Sequence, residues 1–339
     1  MSGGGVMQIE RTEDWAEVGE AEWQGFVDHS GASVFYSREV LTAYSRGPLL
    51  SSARSLLFSL RESGGALSAA VPFYLQDDCD PFGLLQQHVR GFDASRRKGL
   101  LTHCWHCYDT EVVGRPSHYG DLLSEVKRAA TELGAENYGF LNVPEGSRTF
   151  RALQETNWQG HHLWDRFQLR PLEFATFDEY LLSLQPDYRR ELQRQLRRMN
   201  ESGATCRIES PPFQDLPRVA MMCHETAARH GTGFYYPPDR LEAFLLGCGS
   251  CVRLIRIDLN TELLGVFVCF LDRDRLHLWA AGTRYDLSRF SPYAMIFLTA
   301  IRHAIEHRIP LIEGGRGNGA KKIKLGFKPL RLHAFIRSV

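Results

Sequence analysis

Two apolar-rich runs, 54–60 and 66–75, flank the turn tripeptide Ser63-Gly64-Gly65 and predict a β-hairpin. A further strand is expected over 101–108. Ser117 is a good N-cap for a helix over 118–133, which Gly134 stops, and a strand over 138–143 closes the set. The second half of the chain repeats this pattern. Runs 252–258 and 263–271 form a hairpin around Asn260, and a strand follows over 276–281. Ser291 then caps a helix over 292–307 that opens on Pro292, and a strand over 310–312 ends at a run of glycines.

Hairpin, strand, helix, strand therefore occurs twice in one order, without a residue-level repeat. This predicts two mixed α/β domains of similar build, each a mixed β-sheet flanked by helices. The join is expected near Arg170-Pro171, giving domains 1–170 and 171–339. The second domain carries extra elements upstream: helices over 177–184 and 186–200, ending near Gly203, a strand over 207–209 and a helix over 213–229.

The chemistry concentrates where the last strand stops. Residues 311–329 read Leu-Ile-Glu-Gly-Gly-Arg-Gly-Asn-Gly-Ala-Lys-Lys-Ile-Lys-Leu-Gly-Phe-Lys-Pro, with four glycines in six positions followed by a lysine cluster. Glycine lets a backbone turn tightly and approach a ligand closely. Lysines just beyond such a loop supply point charges suited to phosphate or a developing oxyanion. A simple connection between strands needs neither.

Composition narrows the classes. Forty basic residues balance forty acidic ones across 339 positions, so no global field draws the chain to DNA or membrane, and a polyanion must be met by local clusters. No apolar run approaches the ~18 residues of a membrane span. The start of the chain lacks a basic-then-apolar signal pattern, so a cytoplasmic protein is expected, with residues 1–5 as a disordered leader and Met7 as an alternative start. Eight cysteines in such a chain are expected as reduced thiols. The pairs Cys104/Cys107, interleaved with His103 and His106, and Cys248/Cys251 have zinc-like spacing. They lie far apart in sequence, with Cys107 and Cys251 in expected strands, so they read as buried residues and no metal is expected. His224 and His230 are off metal spacing. Serine-hydrolase, P-loop and zincin signatures are absent.

The order of elements, together with Trp279-Ala280-Ala281-Gly282-Thr283, the Pro292-Tyr293 helix start, Glu313-Gly314-Gly315 and the segment Lys321 to Phe327, resembles the GNAT acyltransferase superfamily in its doubled, Fem-like form. The helix carrying Arg189-Arg190-Glu191-Leu192 and Arg194 is also typical of the second domain there. The resemblance implies transfer of an acyl group to a small amine acceptor with no cofactor. The donor is aminoacyl-tRNA in Fem-type members and acyl-CoA in others. Acyl-CoA users carry a glycine-rich loop whose amides hold the pyrophosphate. The corresponding stretch here, 282–291, has one glycine, two arginines and aromatics, which favours aminoacyl-tRNA. A non-catalytic GNAT-fold binding module is the alternative from another class.

On this reading Lys322 or Lys324 neutralises the oxyanion or holds a donor phosphate, a role worth ~2–4 kcal/mol of barrier; the alternative is a solvated charge run. Both are expected at the surface, where their removal leaves folding nearly intact. Glu313 accepts the ammonium proton of the incoming amine, or serves as an N-cap or ion-pair partner of Arg316. Arg284, Tyr285 and Asp286 sit at the mouth where donor and acceptor meet, unless they form an ordinary surface turn. Tyr293, Arg316 and Lys321 join them as substrate-binding candidates with Phe327, whose ring is expected beneath the loop. Arg190, Arg194 and Arg197 share a helical face, with Arg189 and Arg198 alongside, and are candidates to grip tRNA phosphates. Lys328 is expected to point away. The aromatic loop 230–238 lines the acceptor pocket or covers the core.

Overall fold

The computed structural model describes residues 8–13, 15, 18–114 and 119–339, without the side chains of 52 and 53. The expected cap Ser117, the helix start at His118 and the expected leader lie outside the described residues. The chain divides into two units, one of residues 1–165 with 330–339 and one of residues 166–329.

From the N-terminus the elements are β1 (Gln8–Thr12), α1 (Glu20–Ser30), α2 (Arg38–Arg46), β2 (Ser52–Arg61), β3 (Leu67–Gln76), α3 (Leu84–His88), β4 (Gly99–Thr102), β5 (Val113–Gly114), α4 (Tyr119–Glu132), β6 (Asn137–Pro144) and α5 (Arg148–Glu155). Then follow β7 (His161–Leu169), α6 (Phe177–Ser183), α7 (Pro186–Ser202), β8 (Thr205–Glu209), α8 (Leu216–Ala228), α9 (Pro238–Gly247), β9 (Val252–Leu259), β10 (Glu262–Leu271) and β11 (Arg275–Thr283). The chain closes with α10 (Pro292–Glu306), β12 (Leu311–Glu313), α11 (Gly319–Lys324) and β13 (Lys328–Ser338).

In the first unit the strands run β1-β2-β3-β4-β6-β13. Every pair is antiparallel except β4 with β6. In the second unit they run β8-β9-β10-β11-β12-β7, again antiparallel except for one pair, β11 with β12. In both, the crossover between the parallel strands carries a helix, α4 or α10, as parallel pairing requires. The twofold order read from the sequence is thus a shared topology. The strands β7 and β13, each closing one sheet, were not expected from the pattern, nor was the helix α11.

Each unit has its own core. In the first, Phe58, Phe73, Leu100, Val126 and Phe140 pack with Phe335 from β13. In the second, α10 is buried along most of its length, with Ile296, Phe297, Ala300, Ile301 and Ala304 against Ile255, Phe267 and Leu278 of the sheet. Its cap is the expected one, with Ala294 N donating to Ser291 Oγ at 3.3 Å. The helix α7 buries Leu192 and Met199, with Tyr188 and Leu196 half-buried against the same core, and is otherwise mostly polar.

The strand expected over 101–108 stops at Thr102. Beyond it the chain folds back: His103 N donates to Thr110 Oγ1 at 3.2 Å, Cys107 N to Cys104 O at 3.0 Å, and Asn142 Nδ2 to Cys107 O at 2.8 Å. Apolar side chains in this segment reflect burial of a turn rather than an extended chain. The expected strand position of Cys251 is likewise corrected, since it ends a 3-10 turn before β9. None of the eight cysteines is in a disulfide, and Cys104, Cys107 and Cys248 are buried. Among the described residues no three His, Cys, Asp or Glu side chains cluster to hold a metal ion, and no helix is long and apolar enough to cross a membrane.

Candidate active site at the end of the parallel strands

The parallel strands of the second unit pair over three positions only, Arg275 with Leu311, Leu276 with Ile312 and His277 with Glu313. β11 then continues to Thr283, whereas the chain after Glu313 turns toward β7. Gly314 N donates to Phe167 O at 2.7 Å, and Phe167 N donates to Gly315 O at 3.1 Å. Pairing between the parallel strands thus ends at this register, with β11 running on while the other chain turns at the glycines. Glycine is required at the turn: Gly315 has φ +69° and a Cβ there would lie 2.9 Å from Leu278 O, while one on Gly314 would lie 2.8 Å from the Phe327 ring.

Glu313 closes the paired segment and is fully buried. Gln168 Nε2 donates to its Oε1 at 2.7 Å, and Arg166 Nη2 lies 3.5 Å from the same oxygen. Its Oε2 has no hydrogen-bond partner among the described residues. Neither Arg166 nor Gln168 carried a motif in the sequence. They come from β7, some 145 positions away, and only their alternation on that strand faces them to Glu313.

The lysine segment is a short helix rather than a loop. Asn318, at φ 49°, precedes it, and Lys321 N and Lys322 N both donate to Asn318 O, at 3.0 and 3.2 Å. Helical spacing separates the lysines. Lys321 and Lys324 face solvent three positions apart, while Lys322 and Leu325 face inward. Lys322 is 2% exposed, so its expected surface position is corrected. Its Nζ donates to Arg316 O at 2.6 Å and sits 5.3 Å from the Phe167 ring centre. Burial, with the Arg316 charge second, pushes its pKa down to about 7. Lys324 Nζ lies over the Tyr188 ring at 5.9 Å, and Lys321 Nζ over the Tyr293 ring at 5.6 Å.

The remaining candidates fall around this core. Arg316 Nη2 donates to Tyr235 OH at 2.7 Å, so the aromatic loop 230–238 meets the glycine turn. That loop is held by His224, whose Nδ1 lies 3.1 Å from Gly233 O and 3.0 Å from Tyr236 O. Tyr293 is buried and hydrogen-bonds the Asn318 side chain. Phe327 is buried, its ring 5.5 Å from that of Phe297. Arg284 and Asp286 pair with each other at 3.2 Å on the rim beside Tyr285, which is 50% exposed. Lys328 is exposed on β13.

On α7, Arg190 pairs with Asp187 and Arg194 with Glu191, while Arg189 Nη1 donates to Leu182 O at 3.0 Å. Arg197 and Arg198 are exposed and have no ion-pair partner among the described residues. From the end of β11 to the start of α10, several amides are already used. Thr283 N donates to Thr226 Oγ1, Arg284 N to Leu264 O, Phe290 N to Ser288 Oγ and Ser291 N to Gln195 Oε1, at 2.8 to 3.2 Å.

Comparison with known proteins places this geometry. The acetyltransferase (GNAT) domain family matches residues 186–323. The structure is similar to that of FemX, with a TM-score of 0.64 and 11% identity over 97% of each chain. It is also similar to a tandem GNAT protein from the clavulanic acid biosynthesis pathway, with a TM-score of 0.57 and 12% identity over 98% of each chain. L-PGS from Bacillus licheniformis gives a TM-score of 0.57 and 12% identity, over 95% of this chain and 92% of the other. No curated protein sequence matches the chain. The chain thus has a doubled fold like that of FemX and the tandem GNAT protein, and residues 186–323 of its second unit match the acetyltransferase (GNAT) domain family.

Proposed function

We propose that the protein is an amide-forming aminoacyltransferase that moves an amino acid from aminoacyl-tRNA to the amine of a small acceptor, such as a peptide, an amino acid or a metabolite. The observation that carries this reading is Lys322, a buried ammonium whose pKa falls to about 7, held at the glycine turn where the parallel strands part. A cation in low dielectric interacts strongly with charge that develops beside it. The acceptor nitrogen attacks the ester carbonyl, and Lys322 stabilises the oxygen that becomes negative. The new C–N bond forms, the C–O bond to the ribose breaks, and the ribose oxygen departs as a hydroxyl, receiving from Glu313 the proton that the amine has lost. Glu313, with Oε2 lacking a partner among the described residues, takes the proton that the acceptor amine gives up.

The donor assignment is supported by the stretch 282–291. Its amides at Phe290 and Ser291 are bound by Ser288 and Gln195, so they do not point outward as a pyrophosphate cradle. FemX-like topology over the whole chain is in keeping with this donor. An aminoacyl-tRNA donor places the reaction in the cytoplasm. The acetyltransferase family match favours a second reading, transfer from acyl-CoA. One assay separates them. Labelled aminoacyl-tRNAs and labelled acyl-CoAs are each supplied with a crude amine pool. The expected result is RNase-sensitive passage of label from tRNA into a product stable to mild base, as an amide is. Label leaving only acyl-CoA would overturn the donor, and no transfer from either would leave the binding module.

A further inference from the structure

The second unit has a cleft of about 760 Å³ between the end of α7 and the stretch leading into α10. Its walls include Arg198 and Glu201 on one side and Leu287, Arg289 and Phe290 on the other. Arg198 and Arg289 are both exposed and have no ion-pair partner among the described residues. The opening is thus lined by two guanidinium groups, one carboxylate and apolar side chains, a composition that suits a phosphate attached to something flat.

A second group of rings and cations surrounds the lysine helix. Tyr293, at the start of α10, meets Asn318 and Lys321 of the lysine segment. Burial first, and then the neighbouring Tyr285 and Tyr188, disfavour ionisation of Tyr293, and Lys324 sits over the Tyr188 ring. Rings and cations are thus paired around the lysine helix, Tyr293 with Lys321 and Tyr188 with Lys324. Of the three tyrosines, Tyr285 is the one with half its surface exposed, at 50%. Proteins that bind single-stranded nucleic acid combine these two ingredients, aromatic faces for bases and cations for the backbone.

We propose that the unpaired 3′-terminal nucleotides of the donor RNA lie across this surface, with a base stacked on Tyr285 and a backbone phosphate between Arg198 and Arg289. The proposal rests on the aminoacyl-tRNA reading above and assigns that donor a path. Stacking needs the ring and not the hydroxyl, so Tyr285→Phe retains it and Tyr285→Ala does not. Each arginine that neutralises a phosphate contributes roughly 0.7 to the slope of log K against log salt for a single strand.

The test uses fluorescence anisotropy with an RNA hairpin ending in four unpaired 3′ nucleotides and the same hairpin cut blunt, on the full-length chain. The wild type should bind the overhang at least ~10-fold more tightly, as expected for stacking of one or two bases. Tyr285→Ala should lose that preference and Tyr285→Phe should keep it. The double variant Arg198→Ala/Arg289→Ala should flatten the salt dependence for the overhang hairpin, with circular dichroism unchanged. Wild-type preference with unaltered behaviour in the variants would overturn this path while leaving the donor intact. Failure of both hairpins to bind, with turnover of acyl-CoA, would remove the donor reading itself. Displacement of the hairpin by coenzyme A in a Tyr285-dependent manner would assign the surface to that nucleotide instead.

Discussion

Lys322 and Lys324 are two positions apart and chemically identical, yet burial separates them. A buried ammonium has lost water and gained little in return, so it releases its proton near pH 7. The ordinary lysine value of 10.5 is retained in the unfolded chain. Below about pH 7 the proton is bound in both states, and the folded chain bears the full penalty of a buried charge. Between 7 and 10.5 the folded chain is neutral while the unfolded chain keeps its proton, so stability rises with pH across that window. Lys322→Met should remove this rise: denaturant midpoints at pH 6 and pH 9 should differ less in the variant than in the wild type, and an equal difference would show that Lys322 does not titrate as stated. In catalysis the sign reverses. A cationic role is lost as Lys322 deprotonates, so kcat/KM should fall through about pH 7, whereas a general-base role would make it rise. Lys322→Ala should lower kcat/KM by ~10²-fold, and Lys324→Ala much less, as a charged contact in the transition state requires. The expectation that both lysines could be removed without effect on folding now applies to Lys324 alone.

At the scale of elements, positions facing a packed neighbour are set by contacts distant in sequence. Gly282 on β11 packs against the backbone of α8: a Cβ there would lie 2.6 Å from Met222 Cγ and 2.9 Å from Met222 C. Gly282→Ala must therefore push α8 off the sheet, at about 1–3 kcal/mol. Thermal or urea unfolding measures it, and a neutral result would mean that the helix shifts freely. On α7 the helical face of arginines is real, but its charges are not equivalent. Asp187 and Glu191 neutralise Arg190 and Arg194, leaving Arg197 and Arg198 to meet an anion. Arg197→Ala/Arg198→Ala should reduce the salt dependence of RNA binding more than Arg190→Ala/Arg194→Ala. Equal slopes for the two double variants would refute this division. The spacing of the arginines was readable from sequence. The division between paired and open ones also depends on which rotamers reach the acids one turn away.

For the whole molecule, chain order and sheet order diverge at one point in each unit. The last strand of the first sheet is β13, from the end of the chain, although the unit otherwise comprises residues 1–165. Leu332, Ala334 and Phe335 of β13 are all fully buried. Gly139 on β6, at φ +151°, passes so close that a Cβ would lie 2.0 Å from Phe335 O. Deleting residues 330–339 should strip hydrogen-exchange protection from β6, residues Asn137–Pro144, since its antiparallel partner is gone. Full protection of that segment in the truncated chain would contradict the role given to β13.

The sequence alone determined the repeated hairpin, strand, helix and strand, because those elements announce themselves through local patterning, turn residues and caps such as Ser291. It also marked the glycine-lysine segment as the candidate site, because glycine and lysine in that arrangement have few structural uses. Tertiary structure decided the rest. β7 and β13 pair with strands far away in sequence, and a pairing partner leaves no local signature. Arg166 and Gln168 stand against Glu313 for the same reason. The choice between Lys322 and Lys324 is a matter of which side of a short helix faces the core, and a pattern of three lysines in four positions carries no preference until Phe167 and the Arg316 carbonyl are in place.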